Sequence, residues 1–230
     1  MIELIQDYWL YFLVGQYPNG PLGGLSLTIL LSAAALLLAM PLGLLLGIAR
    51  VSPYRALRWP AAVLVQVVRA VPLLLVVFWA YFFLPAVTGV KTGQATTMLI
   101  VLVLFDAVYL AEIVAAGIRS LPKGQLESAR SLGLGYGQAL RLVVLPQALR
   151  HVLPSLVSQL VATIKATSLG YIIGLSELSF IATQVNTLVF TKSVEVYLIL
   201  ALSYFVLCFG LSRLAFWLER RLARRAAGSY

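Results

Sequence analysis

This sequence has unusually few charged residues. Its 230 residues are 61% hydrophobic, and Asp, Glu, Lys and Arg together make up only 11%. A soluble globular domain has about 25% charged residues and about 45–50% apolar ones. So few charges cannot cover a water-facing surface, which excludes a soluble enzyme, a nucleic-acid binder and a disordered tail as descriptions of the whole chain. The composition predicts an all-α polytopic membrane protein, and the length favours a single transmembrane domain over residues 1–230, with room for four to six spans of about 20 residues each.

Cysteine and histidine are also scarce, since each occurs once. The single cysteine, Cys208, excludes an intramolecular disulfide and a cysteine metal cluster, and its apolar neighbours indicate a buried small hydrophobe. The single histidine, His151, lies at the edge of a basic segment, so an intramembrane serine protease would lack a Ser–His pair at one depth. The glycines at 133, 135 and 137 follow no strand, and the Gly-Lys dipeptide of a P-loop is absent. We therefore expect no catalytic residue, no metal and no bound nucleotide in this chain.

Five apolar runs predict five membrane spans. Prolines 41 and 72 lie inside the first two runs, where membrane helices tolerate them, and Pro72 is expected to bend the second span. A polar connection, 119–151, separates the third run from the fourth, and a less apolar segment, 169–193, precedes the last. The predicted spans are 24–49, 59–84, 94–118, 152–168 and 194–217.

The positions of lysine and arginine predict how the chain is oriented. The loop 50–58, the connection 119–151 and the tail from Arg213 together hold thirteen basic residues, whereas the alternate set of segments holds two. Basic residues are enriched on the cytoplasmic side. We therefore expect an external N-terminus, a cytoplasmic C-terminus and a cytoplasmic 119–151 segment. An odd number of spans also argues against the inverted repeats of many secondary transporters.

The connection 119–151 predicts two short helices joined by a glycine-rich turn. Residues 125–132 place Leu126, Ala129 and Leu132 on one face, and Gly133 can end the helix in a left-handed cap. A second helix is expected from Gln138 to Pro146. From the residues alone, an ordinary interfacial loop with snorkelling arginines is an equally good interpretation.

Short motifs in and around the connection 119–151 resemble those of a known protein family. Glu127-Ser128-Ala129, then Gly133, then Val144-Leu145-Pro146 resemble the "EAA–G–I-x-LP" signature of bacterial ABC importer permeases. Over about residues 25–220 the chain is similar to the polar amino-acid permeases, which carry histidine, glutamate, glutamine, arginine and opines. Four positions depart from the family pattern: Ser128 and Ala70 replace small residues, Ala115 stands where a basic residue is frequent, and Ala166 stands where Asp is common. The further matching segments are 68–74, 109–113, 117–120, 146–150, 165–169 and 173–178.

The resemblance implies one half of an importer in the bacterial inner membrane. Its partners would be a second permease chain, identical or related, two cytoplasmic ATPase subunits that hold ATP and Mg²⁺, and an external amino-acid-binding protein. The residues implied in ATPase coupling are Glu127, Ser128, Ala129, Gly133 and Pro146. The alternative that we keep is an ATP-independent solute channel.

Ionisable residues inside the apolar runs form the second set of candidates, because charges in lipid are costly. Arg69 and Asp106 are each expected near the midplane. They can pair with each other, or they can hold the α-carboxylate and the α-amino group of a substrate. Glu112, nearer the cytoplasmic end, favours solvation or helix packing, and a bend at Pro72 can open a cavity. Lys165 with Thr167 and Ser168 can offer a cation and hydroxyls to a carboxylate, and the two cations together favour a polar or acidic amino acid.

Overall fold

The computed structural model describes residues 2–227, which form helices and no β-strand. Short π-helical turns join α4 to α5 (Trp79–Phe83) and α8 to α9 (Leu140–Val144), and 3₁₀ turns cover Ser168–Ile173 and Phe190–Lys192. The helices are α1 Ile2–Val14, α2 Gly24–Val51, α3 Arg55–Ala70, α4 Leu73–Phe78, α5 Leu84–Thr88, α6 Gln94–Arg119, α7 Lys123–Ser131, α8 Tyr136–Ala139, α9 Leu145–Thr167, α10 Leu178–Leu188 and α11 Ser193–Ala227.

The described helices confirm the prediction of about five membrane spans. Four segments are long and apolar enough to cross a membrane, namely Gly24–Val51, Gln94–Arg119, Tyr136–Ile173 and Phe190–Arg221. A bent pair, Arg55–Ala70 with Leu73–Thr88, makes a fifth when it is counted as one broken span. The first and third predicted spans end within two residues of the observed helices. The fourth predicted span, 152–168, lies inside a longer helical segment that runs from Tyr136 to Ile173.

The second predicted span is broken rather than gently bent. Its two helices meet at an angle of 92°. Proline restricts the residue before it to extended backbone and has no N–H for the preceding helix, so α3 ends at Ala70. The carbonyl of Pro72 then accepts the N–H groups of Leu75 and Val76, at 3.0 and 3.3 Å, and α4 starts in a new direction.

Packing divides the chain into two compact units. One contains Met1–Leu38, Val71–Phe105 and Leu160–Gly210, and the other contains Ala39–Ala70, Asp106–Gln159 and Leu211–Tyr230. The core of the first unit includes two apolar clusters of described residues. Val77, Met98 and Leu102 belong to one of them, and Leu178, Ile181 and Val185 belong to the other.

Helix α1, which the sequence did not predict, is held by the second of these clusters. Its Leu4 and Phe12 are 2% and 5% exposed and pack with α10. The hydroxyl of Tyr11 donates to Oε1 of Gln184 at 2.6 Å. The bond between Tyr11 and Gln184 joins positions 173 residues apart, and a local sequence pattern does not reveal such a contact.

In the second unit, glycine brings α2 against α6. A Cβ atom at Gly43 would lie 2.5 Å from Cβ of Leu110, and one at Gly47 would lie 2.8 Å from Cβ of Val114. Small residues four apart allow this close approach between membrane helices. The close contact fixes the register in which α6 presents Glu112 to Arg50 of α2.

Candidate functional site

Helix α7 forms as the coupling segment was predicted, and Gly133 ends it. The φ angle of Gly133 is +89°, and no atom lies within 4 Å of a Cβ built there. Its N–H donates to the carbonyl of Arg130 at 3.0 Å, and the N–H of Leu134 donates to that of Ala129 at 3.3 Å. This pair of bonds is the Schellman arrangement, in which glycine is preferred because left-handed backbone strains other residues.

The outward side of α7 differs from the predicted apolar face. Ala129 is only 5% exposed, so it packs within the chain, whereas Leu132 is 85% exposed. Glu127 and Ser128 are exposed as well. The exposed side of α7 therefore carries a carboxylate, a hydroxyl and, at the end of the helix, a leucine side chain.

Pro146 acts on this segment through its neighbour Gln147. Proline lacks an N–H and its ring crowds the carbonyl four residues earlier, and here the π-helical turn Leu140–Val144 takes up that irregularity. Nε2 of Gln147 donates to the carbonyl of Val143 at 2.9 Å and to Oε1 of Gln125 on α7 at 3.2 Å. Gln147, which sequence reasoning quoted only as part of a motif, ties α7 to the start of α9.

A cluster of charges joins three helices of the second unit. Oε2 of Glu112 on α6 accepts hydrogen bonds from Nη1 of Arg50 on α2 and, at 3.3 Å, from Nη1 of Arg69 on α3. Cζ of Arg69 also lies 5.2 Å from the ring centre of Tyr109, which is cation–π distance. The Arg50 side chain is 12% exposed and that of Arg69 is 41% exposed. Two arginines thus share one carboxylate, and the cluster carries a net positive charge.

Arg69 pairs with Glu112 rather than with Asp106, so the first of the two alternatives predicted for Arg69 and Asp106 does not hold. Asp106 is 4% exposed, and its Oδ1 accepts a hydrogen bond from Nε2 of Gln159 at 2.8 Å. Six helical positions separate Asp106 from Glu112, which places them about 120° apart around the α6 axis. Similar depth therefore did not mean the same face, and Arg69 meets Glu112.

The segment around Lys165 offers a cation but directs its hydroxyls to its own backbone. Lys165 is exposed. The Thr167 hydroxyl is buried and donates to the carbonyl of Ile164 at 2.7 Å, and the Ser168 hydroxyl donates to that of Lys165 at 2.7 Å. The ammonium group is therefore the part of this predicted cluster that is open to a ligand. Pro72 is exposed at the break between α3 and α4.

Comparison with known proteins identifies the family to which this chain belongs. Residues 39–224 match the family described as "Binding-protein-dependent transport system inner membrane component". This chain belongs to that family. The relatives are amino-acid permeases, as the resemblance of the EAA-like segment implied, and they do not support the alternative of an ATP-independent channel.

Relatives within the family are similar over most of this chain. It is 36% identical to the inner membrane amino-acid ABC transporter permease protein YhdY of Escherichia coli over 93% of its own length, and it spans 60% of that protein. It is 37% identical to the probable glutamine ABC transporter permease protein GlnP of Bacillus subtilis, covering 86% of this chain and 91% of that one. The glutamate/aspartate import permease protein GltK of Escherichia coli is 32% identical, with 88% and 93% covered.

Solved structures of ABC transporters share the fold. An amino acid ABC transporter crystallised with histidines matches with a TM-score of 0.79 and 30% identity, over 86% of this chain and 92% of that chain. The MetNI methionine ABC transporter matches with a TM-score of 0.65 at 21% identity. The chain is thus a multi-pass permease of the ABC transporter family, whose ATPase is a separate subunit.

This permease also contains a buried acidic residue whose role the sequence did not reveal. Glu177 lies between the candidate spans, is 0% exposed, and precedes α10. Its carboxylate accepts the N–H groups of Ser179 and Phe180 at 2.9 Å each and the hydroxyl of Tyr204 at 3.1 Å. Burial raises the pKa of Glu177 to about 7, although these hydrogen bonds act in the opposite direction. An acidic residue directly before a helix was the signal available in the sequence.

Proposed function

We propose that this chain is the membrane half of an ATP-driven importer for a polar or acidic amino acid. It works with a second permease chain, identical or related, and with an external amino-acid-binding protein. Two cytoplasmic ATPase subunits supply the ATP and Mg²⁺ chemistry. The names of the relatives, which include glutamine and glutamate/aspartate permeases, support the substrate class.

The observation that carries the substrate proposal is the charge of the Arg50–Glu112–Arg69 cluster. Arg50 is mostly buried and contacts Glu112, while Arg69 is 41% exposed on its side chain and shares the same carboxylate oxygen. Arg69 therefore has donor capacity beyond that single contact. A substrate carboxylate would balance the positive charge of the cluster. Lys165, Thr167, Ser168 and Asp106 remain candidates for the rest of the pathway, with Asp106 suited to an α-amino group.

The coupling proposal rests on the outward side of α7. Glu127, Ser128 and Leu132 offer a charged, a polar and an apolar contact to an ATPase groove, while Ala129 packs inward. The cap at Gly133 lets the chain turn away at once and leaves the end of the helix open. Rigid-body motion of the ATPase pair would then be passed through α7 and Gln147 to the start of α9.

Uptake in proteoliposomes tests the substrate proposal. The permease, its ATPase and its binding protein are reconstituted, and ATP-dependent uptake of labelled glutamate and glutamine is measured. Arg69→Gln should lower uptake about 10- to 100-fold, the range for a lost hydrogen bond to a charged group, while Arg50 keeps Glu112 paired. Arg58→Gln, an exposed arginine on the same helix, is the control. Uptake by Arg69→Gln at the control rate would remove Arg69 from the pathway, and uptake without ATP would contradict import by an ABC transporter.

Copurification tests the coupling proposal independently. Glu127→Lys or Gly133→Val should reduce recovery of the ATPase with the tagged permease, because one reverses the charge of the docking face and the other strains the left-handed cap. Glu219→Lys makes the same charge reversal at the exposed end of α11. Equal ATPase recovery from all three variants would contradict docking through α7.

A further inference from the structure

Helix α11 is longer than a membrane is thick. Its 35 residues extend about 52 Å at 1.5 Å per residue, against about 30 Å for the hydrocarbon core of a bilayer. Tyr197 and Trp217, 46% and 51% exposed, are 20 residues apart, which is about 30 Å along one helix. Between them the sequence holds one charged residue, Arg213. Tyrosine and tryptophan prefer the membrane–water interface, so Trp217 is expected at the boundary and the residues after it in the headgroup region.

Two arginines directly after this boundary are held over aromatic rings. Cζ of Arg220 lies 4.2 Å from the ring centre of Phe216, and Cζ of Arg221 lies 5.0 Å from that of Trp217. Both contacts run from a residue to the one four positions earlier, so each guanidinium reaches back towards the level of the rings. A guanidinium held over a ring can still donate from the N–H groups that do not face the ring, and a guanidinium can bind phosphate oxygens in pairs.

The charge of the same segment favours an anionic ligand. From residue 213 the sequence has five arginines and one acidic residue, Glu219. The rings of Phe216 and Trp217 are themselves 42% and 51% exposed, so acyl chains can pack against them while the arginines remain in the headgroup region. Clusters of this size next to a span bind anionic lipid more strongly than zwitterionic lipid.

We propose that residues 213–221 of α11 form a binding site for the phosphate headgroup of an anionic phospholipid. Arg220 and Arg221 bind the phosphate, and Phe216 and Trp217 hold the two guanidinium groups at headgroup depth and contact the upper part of the acyl chains. This site does not depend on which amino acid the permease carries.

Native mass spectrometry of the detergent-purified full-length permease tests the site. The probes are phosphatidylglycerol and phosphatidylcholine with the same acyl chains. Each arginine at a membrane surface contributes about fivefold to anionic lipid affinity, so Arg220→Gln with Arg221→Gln should weaken phosphatidylglycerol binding roughly 30-fold and leave phosphatidylcholine binding unchanged. Phe216→Leu with Trp217→Leu keeps every charge and should still weaken phosphatidylglycerol binding, because the guanidinium groups lose their supports.

Arg141→Gln with Arg150→Gln removes the same charge from two other exposed positions and is the matched control. Equal loss of phosphatidylglycerol in the control would show a general charge effect and overturn the site. Unchanged phosphatidylglycerol binding in the Arg220 and Arg221 double variant would overturn it as well. Displacement of the lipid by millimolar inorganic phosphate would assign the segment to free anions instead. Loss of ATPase copurification without loss of lipid would assign it to a protein contact.

Discussion

Neutralising Glu112 should destabilise this permease more than any exposed carboxylate does. Glu112→Gln leaves Arg50 with a side chain only 12% exposed and without the charge that it contacts. Breaking a fully buried pair in this way costs about 3–5 kcal/mol, and Glu112 is 33% exposed, so we expect about 2–3 kcal/mol. The contribution of Arg69 is smaller, because its side chain is 41% exposed.

The assay is thermal unfolding of the purified permease in lipid nanodiscs. For a chain of this length 1 kcal/mol corresponds to about 2–4 °C, so the midpoint of Glu112→Gln should fall by about 4–12 °C. Exposed Glu127→Gln is the control and should stay within about 2 °C of the wild type, as a surface change does. The double variant Arg50→Met with Glu112→Gln should recover much of the loss, because the stranded charge is gone.

Two results would refute this reasoning. A midpoint for Glu112→Gln equal to that of the control would mean that the cluster adds nothing to stability. A double variant no more stable than Glu112→Gln alone would mean that the loss comes from packing rather than from an unpaired arginine.

Three further predictions follow from separate parts of the fold. Gly47→Leu should abolish a folded permease, because its Cβ alone would lie 2.8 Å from helix α6, whereas Gly210→Leu, with open space around it, should be tolerated in size-exclusion chromatography. The raised pKa of Glu177 adds stability that is full below about pH 4.5 and is lost as the pH rises through about 7, so the melting midpoint should fall from pH 5 to pH 8 in the wild type and much less in Glu177→Gln. In a Cys208→Ala background, Ser131→Cys should react with an impermeant maleimide in inverted vesicles only, and labelling in intact cells would reverse the proposed orientation.

The sequence predicted best those elements whose signals are local. The apolar runs of α2 and α6 end where arginine follows them, at Arg50 and Arg119, and their predicted bounds agree with the observed helices to within two residues. The cap of α7 was predictable because Gly133 is the residue that adopts left-handed backbone without strain, and the observed φ of +89° confirms it.

The features that the sequence did not predict are helix α1, which depends on contacts between distant positions, and the irregular turns near prolines. Helix α1 is stabilised by α10, which lies far along the chain, so its short apolar pattern carried little information. The two π-helical turns each end two residues before a proline, Pro85 and Pro146, yet a proline alone does not distinguish a π turn from a kink or a break. At Pro72 the helix is broken, whereas the sequence predicted only a bend.

The charges of α6 show why residue type and depth are not enough to assign a pathway. Asp106 and Glu112 are both acidic and both lie on one apolar helix, yet one meets a neutral amide and the other meets two arginines. A carboxylate that two arginines share leaves positive charge for an anion. The same logic separates the arginines: Arg50 is mostly buried, so the unbalanced charge is accessible at Arg69. An amino acid carries the carboxylate that this positive charge would bind, and testing Arg69→Gln and Asp106→Asn separately with substrates that lack either the carboxylate or the amine would assign each contact. Equal losses for both analogues in both variants would contradict the assignment.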